Sequence, residues 1–345
     1  MRSGLPHPVG AAMYSPTILV IGLDGFDYSW SNRLGERAYY SYPLFSPKAT
    51  SSAGWTTLMT GLPAETHRME SSGITEWVRR SQDLKYIWDY LSAESKRSVI
   101  VNLPFSYPPR AMNGTLVCGV PAHRDRFVFP SSKIGNWNWS ELDIHTVWDG
   151  PSLNEPMTMD FRELAWKLSD MRWALSTRFL LEVEQTYTAF AMICFTGLDR
   201  LAHFQPDGLG DHLDEVIDSI LATVGILEEK LAPEWIFVVS DHGINLKSKR
   251  RDDGWSLAHG EQVEGSFQGV FAYKSTRAQP LPKSVDVVDM TQVLPTWLKL
   301  AKILKPVELQ GQPLEGFVGY GEDETNTMLE QLSRLGYVES PSEES

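Results

Sequence analysis

Five short stretches of the chain are continuously apolar and rich in β-branched or aromatic residues. Runs of this kind are typical of strands buried on both faces of a parallel sheet. They span residues 17–23, 98–103, 188–195, 235–240 and, in a shorter form, 269–273. The pattern predicts that these stretches are strands of one buried sheet.

Three other stretches carry apolar residues at the spacing of one helix face. They cover residues 161–179, 213–227 and 289–304, and Pro295 should start or kink the last of them. Strands that alternate with helices form a mainly parallel sheet with helices on both sides. We therefore predict an α/β fold: a three-layer αβα sandwich with a mainly parallel central sheet.

Residues 63–150 interrupt this alternation. They are rich in proline and hold five of the twelve tryptophans. We predict a lid or insertion here, inside one catalytic domain that covers residues 15–338. Residues 1–14 are expected to be a flexible arm, and the acidic residues 339–345 a frayed tail.

Charge and composition narrow the possible functions. The 345 residues carry a net charge of −13, which argues against binding of long nucleic acid but not of a small phosphorylated substrate. No apolar run approaches the roughly 18 residues of a membrane span. The start of the chain does not resemble a signal peptide, and Cys118 and Cys194 lie in strand-like segments as expected for buried thiols. These features predict a cytoplasmic protein without a membrane partner, and they do not indicate an oligomeric state.

Acidic and imidazole side chains follow three of the predicted strands. Because the carboxyl ends of parallel strands share one edge of a sheet, these groups are expected to meet there. Asp and His together suit zinc or a similar first-row metal, and six ligands exceed the needs of one tetrahedral ion. The sequence therefore predicts two metal ions held by Asp24, Asp199, His203, Asp241, His242 and His259.

Each of these residues also has an ordinary explanation. A lone Asp after a strand, such as Asp24, is usually a helix N-cap, and a lone His, such as His259, is more often a surface residue. The conjunction of several strand-end ligands favours the metal site. Two function classes remain: a metal-dependent hydrolase of a small phosphate ester, or a non-catalytic binding protein on the same scaffold.

The ordered motifs of the chain resemble those of the alkaline phosphatase superfamily, in particular its type I phosphodiesterase/nucleotide pyrophosphatase branch. The resemblance extends from residue 17 to about residue 338. No counterpart of the sulfatase Cys/Ser-x-Pro-x-Arg signature is present. The matching motifs are IGLDG at 21–25, SSAGWTTLMTGL at 51–62, DRLAH at 199–203, SDHG at 240–243 and HG at 259–260.

This resemblance implies a covalent mechanism at two divalent metals, Zn²⁺ in the first place, with Mn²⁺ or another first-row metal as the alternative. It assigns one metal to Asp24, Asp241 and His242, with Ser51 as the nucleophile that reaches it. It assigns the other metal to Asp199, His203 and His259. Water would then hydrolyse the phosphorylated Ser51.

The nucleophile lies in a run of three hydroxyl residues, so its register needs a choice. Ser51 is preferred because the family has Thr or Ser four residues before the aromatic position that is Trp55 here, and Thr50 is the alternative. Ala53 replaces the usual Pro, and residues 69–72 lack an Asn that nucleotide pyrophosphatases carry. The expected substrate is a small phosphate ester, and a nucleotide-like ester is one candidate. The alternative activity is that of a phosphomonoesterase acting on a small metabolite or natural-product intermediate.

Overall fold

A single mixed β-sheet forms the centre of the protein. In the computed structural model, residues 15–69, 74–138, 158–247, 256, 258–260, 263 and 267–317 are described. The strands within these residues are β1 (Ile18–Leu23), β2 (Tyr40–Phe45), β3 (Ser98–Leu103), β4 (Gly114–Cys118), β5 (Val128–Phe129), β6 (Phe190–Phe195), β7 (Trp235–Val239), β8 (Gln268–Lys274) and β9 (Val288–Asp289). Their order is β5-β4-β3-β6-β1-β7-β8-β2-β9.

The middle of this sheet is parallel and fully buried. β1 pairs in parallel with β6 on one side and β7 on the other, and β3 pairs in parallel with β4 and β6. Every residue of β1, β6 and β7 is buried, which explains their unbroken apolar sequences. The carboxyl ends of these three adjacent strands therefore meet at one edge.

Helices flank the sheet in two groups. The helices in the described residues are α1 (Asn32–Gly35), α2 (Ser51–Thr60), α3 (Ala64–His67), α4 (Ile74–Asp83), α5 (Ile87–Ala93), α6 (Phe161–Glu184), α7 (Gly197–Phe204), α8 (Pro206–Asp211), α9 (Leu213–Leu231) and α10 (Val293–Leu300). Helix α6 packs on α9 and on strands β3 and β6, whereas α10 packs on α2 and α5. This arrangement confirms the predicted αβα layers. None of the described helices has the length and apolarity needed to cross a bilayer.

The five predicted strands and the first two predicted helices are all present, within a few residues of their expected ends. The third helix is shorter than the predicted 289–304: Pro295 is the third residue of α10, which ends at Leu300. Strand β2 was missed because Pro43 interrupts its pattern. Pro43 is tolerated there because β9, the neighbour on one side of β2, pairs only with Leu44 and Phe45.

The predicted lid region contributes to the sheet. Strands β3, β4 and β5 all lie within 63–150, so part of this range belongs to the central layer. Trp88 and Trp137 are buried in the core. Cys118 and Cys194 are buried free thiols, as expected. The predicted arm, the predicted tail and residues 70–73 and 139–150 of the lid lie outside the described residues.

Candidate metal centre

Three adjacent strand ends place carboxylates at one point. Asp24 follows β1 directly, and Gly25 then turns the chain with a left-handed φ of 77°. Asp199 lies in the first turn of α7, which begins just after β6. Strand β7 ends at Val239, and Ser240 alone separates it from Asp241. All three carboxylates are buried, at 0–7% exposure.

Ser51 is brought to this point by α2, of which it is the first residue. Its Oγ donates a hydrogen bond to Asp24 Oδ1 at 3.2 Å and lies 3.1 Å from His242 Nε2. The indole Nε1 of Trp55, one turn further along α2, lies 3.4 Å from Asp24 Oδ2. Thr50 is the N-cap residue, and its buried Oγ1 makes no hydrogen bond in the described part of the chain. The geometry thus favours Ser51 over Thr50.

Backbone carbonyls orient the three histidines. Nδ1 of His203 lies 2.7 Å from the carbonyl oxygen of Ser256, and Nδ1 of His259 lies 2.8 Å from that of Ala49. Nδ1 of His242 lies 2.9 Å from the carbonyl oxygen of its neighbour at position 243. In each ring Nδ1–H is therefore the donor to a carbonyl, and Nε2 is directed into the centre. Metal-binding histidines usually have this second hydrogen bond.

The Nε2 atoms converge on carboxylate oxygens. His203 Nε2 lies 3.5 Å and His259 Nε2 lies 3.3 Å from Asp199 Oδ1, and the two nitrogens are 2.9 Å apart. His242 Nε2 lies 3.4 Å from Asp24 Oδ1 and 3.4 Å from Asp241 Oδ2. Thus all three rings face acidic groups across distances that leave space for a small ion.

His242 provides the clearest test of whether a cation fits. Burial, together with His259, lowers its pKa to about 3, so the ring is neutral at neutral pH. Since its Nδ1 donates to a carbonyl, its Nε2 presents a lone pair to two carboxylates. Neither oxygen of the fully buried Asp241 accepts a hydrogen bond within the described residues. A neutral imidazole nitrogen that faces two buried carboxylates offers the donor atoms that a bound cation needs.

The pKa values of the carboxylates reflect the same crowding. Burial and the nearby Asp199 raise the pKa of Asp24 to about 7. Burial and Asp24 also raise the pKa of Asp241. Burial would raise the pKa of Asp199 too, but His203 and His259 lower it below its usual range. Negative charges crowded in this way repel one another, and divalent ions would relieve that repulsion.

The side chains form two groups in which the ligand atoms lie within 4.8 Å of one another. They are Asp199, His203 and His259, and Asp24, Asp199 and His242. The first group equals one of the two predicted ligand sets. The second group differs from the other predicted set, because it contains Asp199 in place of Asp241. Asp241 lies next to this group, with its Oδ2 3.4 Å from His242 Nε2. Asp199 therefore lies between the two candidate positions.

A cavity of about 260 Å³ opens on this centre. Ser51 lines it together with Pro104, Phe105 and Val120, which belong to the predicted lid region, and with Arg200 of α7. The sequence assigned no role to these four residues. Arg200 follows Asp199 directly, so its place beside the motif was the one available signal. The other three follow strand ends or turns without any distinctive chemistry.

All seven residues predicted for the site are brought together, and the ordinary alternatives do not apply. Asp24 caps no helix in the described residues, because Asp27 accepts the capping hydrogen bond of the short 3₁₀ helix Tyr28–Trp30. The His259 side chain is only 13% exposed and contacts Asp199.

Comparison with known proteins relates this centre to a family. No curated protein matches the chain significantly in sequence. Phosphonate monoester hydrolase of Agrobacterium radiobacter has a similar fold, with a TM-score of 0.51 and 12% identity over 89% of this chain and 78% of that one. An alkaline phosphatase from the Antarctic bacterium TAB5 matches with a TM-score of 0.46 and 13% identity, over 84% of this chain and 99% of that one.

The family model described as type I phosphodiesterase/nucleotide pyrophosphatase matches residues 19–255. This range is more than half of the chain and includes Asp24, Ser51, Asp199 and Asp241. The matched family acts on phosphoric esters, so the chain is a hydrolase of that class and contains the Asp and His groups that a metal-dependent member needs. The chain belongs to the type I phosphodiesterase/nucleotide pyrophosphatase family.

Proposed function

We propose that the protein hydrolyses a small phosphate ester by transferring the phosphoryl group to Ser51 Oγ at a two-metal centre. The position of Ser51 Oγ carries the proposal. It lies within 3.2 Å of both Asp24 Oδ1 and His242 Nε2, at the wall of a cavity of about 260 Å³. A hydroxyl between metal-type ligands and an open cavity is placed to act as a nucleophile.

Two sets of side chains are the proposed metal ligands. Their mixture of carboxylate and imidazole donors suits Zn²⁺, with Mn²⁺ as the alternative. When bound, two such ions supply the charge that lowers the pKa of a coordinated hydroxyl and neutralises charge on the transferred group. The sets are Asp24, Asp241 and His242 with Ser51, and Asp199, His203 and His259.

The chain's own groups then account for two displacements at phosphorus. Ser51 Oγ, which donates its proton toward Asp24 Oδ1, attacks phosphorus as the bond to the leaving oxygen breaks. The leaving oxygen takes the electron pair and the proton that Ser51 released, and a phosphorylated Ser51 forms. Water next attacks phosphorus as the bond to Ser51 Oγ breaks, and one proton of the water returns to Ser51 Oγ. The product is phosphate from a monoester or a phosphomonoester from a diester.

The cavity supports a substrate with an apolar or flat leaving group. Pro104, Phe105 and Val120 give one part of its wall an apolar character, which fits the nucleotide-like diester expected from the family. One observation favours the alternative phosphomonoesterase: Arg200 also lines the cavity, and its positive charge suits a doubly charged monoester. We infer that residues of the predicted lid region select among these substrates.

A substrate panel tests the proposed reaction. The metal-loaded protein is assayed on a bis-aryl phosphate, an aryl ester of a nucleotide, an aryl phosphate and an aryl sulfate, with Zn²⁺ or Mn²⁺ added. We expect the highest kcat/KM on one of the two diesters. Preference for the aryl phosphate would establish the phosphomonoesterase instead, and absence of turnover on every ester would favour the binding-protein class.

Substitution of the nucleophile gives a second test. Ser51→Ala should lower kcat by at least about 10³-fold, because no covalent intermediate can form. The matched control is Thr50→Ala, which removes the adjacent hydroxyl and should retain most activity. Both variants should bind the same number of metal ions, measured by elemental analysis. An inactive Thr50→Ala protein beside an active Ser51→Ala protein would show that Thr50 is the nucleophile.

We further infer a cytoplasmic location, which the two buried free thiols of Cys118 and Cys194 support. Fractionation of the source cells, followed by detection of the protein with an antibody, tests this. Recovery outside the cytoplasmic fraction would contradict it.

A further inference from the structure

A second cavity lies between α6 and α9, away from Ser51. Its volume is about 230 Å³, and six apolar side chains contribute to its wall: Phe161, Ala165, Leu168, Leu201, Val216 and Ile220. An apolar cavity of about 150 Å³ is enough to bind benzene. This cavity therefore has room for a small organic molecule with an apolar body.

One buried cation, Arg172, also lines this cavity. Arg172 is only 8% exposed. Nε donates to Thr223 Oγ1 at 2.9 Å, and Nη2 donates to the Oγ atoms of Ser169 at 3.1 Å and Ser219 at 2.6 Å. The guanidinium thus has three neutral hydroxyl partners, and Nη1 has no hydrogen-bond partner among the described residues.

No carboxylate in the described part of the chain lies within ion-pair distance of Arg172. The one acidic residue that lines the cavity, Glu215, has a largely exposed side chain, and its Oε2 lies 3.6 Å from His212 Nδ1. Burial lowers the pKa of Arg172 to about 10, which leaves it charged at neutral pH. A buried charge without a counter-charge is costly, so this cavity favours an anion.

We propose that this cavity binds a small organic carboxylate, with its head group on Arg172 and its apolar body against the six apolar side chains. A planar carboxylate matches the donor fork of a guanidinium. Ser169 and Ser219 stand beside the guanidinium and can hydrogen-bond to the same head group. Inorganic phosphate is a poorer fit, because it would lose hydration against an apolar wall that it cannot fill.

The proposed carboxylate site is separate from the metal centre but touches the same helix. Gly197 and Leu201 of α7 line the cavity, and α7 also carries Asp199 and His203. A carboxylate bound here would contact α7 without occupying the cavity that opens at Ser51. The proposal is therefore independent of the proposed reaction and of its substrate.

Calorimetric titration of the metal-loaded protein with benzoate and with hexanoate tests the site. We expect saturable binding of at least one of them, with one site and a Kd below about 1 mM. Arg172→Met should weaken that binding at least about tenfold, the usual effect of losing a charge-assisted hydrogen bond. Benzyl alcohol, which lacks the charged head, should bind at least about tenfold more weakly than benzoate, and inorganic phosphate should not compete.

Two further variants separate binding from folding. Arg178→Met makes the same change at an exposed position of α6 outside the cavity wall, and it should leave the affinity unchanged. Arg172→Met removes two hydrogen bonds to α9 and one within α6, so Ala165→Phe is tested as well. It fills the cavity and keeps Arg172, and it should abolish binding.

Three results would overturn the proposal. The first is that neither carboxylate binds the wild-type protein. The second is that the affinity is the same in Arg172→Met and Ala165→Phe as in the wild type, which would place the carboxylate elsewhere, for example on the metals. The third is displacement of the bound carboxylate by inorganic phosphate.

Discussion

Main-chain carbonyls orient the three histidines of the candidate metal centre, and those that contact His203 and His259 come from residues 53 and 210 positions away in sequence. Ala49, which supplies the carbonyl for His259, has a left-handed φ of 45°, a conformation that costs free energy in a residue other than glycine. Ala49 also lies two residues before Ser51. Strain at this position therefore links the orientation of a proposed metal ligand, His259, to the start of α2.

A fourth histidine, His67, has a structural environment instead. It is 3% exposed, its Nδ1 accepts from the backbone N–H of Met69 at 3.1 Å, and its Nε2 lies 3.0 Å from Thr57 Oγ1 in α2. Because Nδ1 is an acceptor, Nε2 carries the proton and donates to the hydroxyl. Burial lowers the pKa of His67 from 6.5 to about 4.

This shift predicts a specific loss of stability in acid. Between pH 6.5 and 4 the unfolded chain binds a proton at His67 that the folded chain does not, so the free energy of unfolding falls as the pH is lowered. The contribution of His67 should decrease by about 2 kcal/mol between pH 7.5 and pH 5. Urea unfolding of the wild type and of His67→Gln at both pH values measures it.

The test uses only the difference in unfolding free energy between wild type and His67→Gln, because the proposed metal ligands titrate in both proteins. The gap in unfolding free energy between wild type and His67→Gln should be large at pH 7.5 and small at pH 5. An equal gap at the two pH values would contradict the lowered pKa of His67.

At the level of elements, the close approach of α2 to the end of β7 positions the proposed nucleophile. An ideal Cβ on Gly54 would lie 2.7 Å from Asp241 Cβ and 2.8 Å from the backbone oxygen of Asp241. Distances this short are not tolerated, and a backbone atom cannot move aside cheaply. The absence of a side chain at position 54 therefore allows Ser51 and Asp241 to share one site.

We therefore expect Gly54→Ala to displace α2 from Asp241. Overpacking should destabilise the fold by about 1–3 kcal/mol, although the better helix propensity of alanine offsets part of this. A displacement of about 1 Å at the nucleophile should lower kcat/KM by about 10²-fold. The measurements are thermal unfolding and kinetics on the preferred ester.

The matched control is Gly210→Ala in α8, where an added Cβ meets no atom within 4 Å. It should leave both stability and kcat/KM close to those of the wild type. Wild-type kinetics for Gly54→Ala would show that the approach of α2 to Asp241 does not position Ser51.

For the molecule as a whole, the metal centre is expected to contribute to stability as well as to activity. Asp24, Asp199 and Asp241 are all buried near one another in a protein of net charge −13. A ligand that binds the folded chain alone stabilises it by about 2.7 kcal/mol at one hundred times its Kd. Removal of the metals should therefore lower Tm and abolish turnover.

Differential scanning calorimetry before and after chelation, with two equivalents of Zn²⁺ or Mn²⁺ then restored, measures this effect. Ser51→Ala is the useful control, because it should keep most of the metal-dependent rise in Tm while lacking turnover. A metal-free protein with the Tm and activity of the loaded one would contradict the proposed centre.

The amino-acid sequence by itself determined the central strands, the two long helices and the acidic residues at the strand ends. Apolar runs such as 188–195 and helical spacing such as 161–179 are local patterns, and burial imposes them directly. The sequence also placed Asp24, Asp199 and Asp241 at a common edge, since parallel strands end there. The sequence pattern did not predict strand β2, because proline has no backbone N–H to donate. Pro43 fits there only because the neighbouring strand β9 pairs with Leu44 and Phe45 and not with Pro43.

Tertiary structure alone decided how these pieces meet. Three features depend on contacts between distant segments: the carbonyls that orient His203 and His259, the close approach of Gly54 to Asp241, and the residues of 63–150 that line the cavity at Ser51. The same is true of Arg172, a charged residue on an apolar helix face, whose hydroxyl partners on α9 lie 47 and 51 residues away in sequence. The local pattern of apolar residues predicts which positions are buried. The hydrogen-bond partners of a buried polar side chain are decided only when the helices pack against each other.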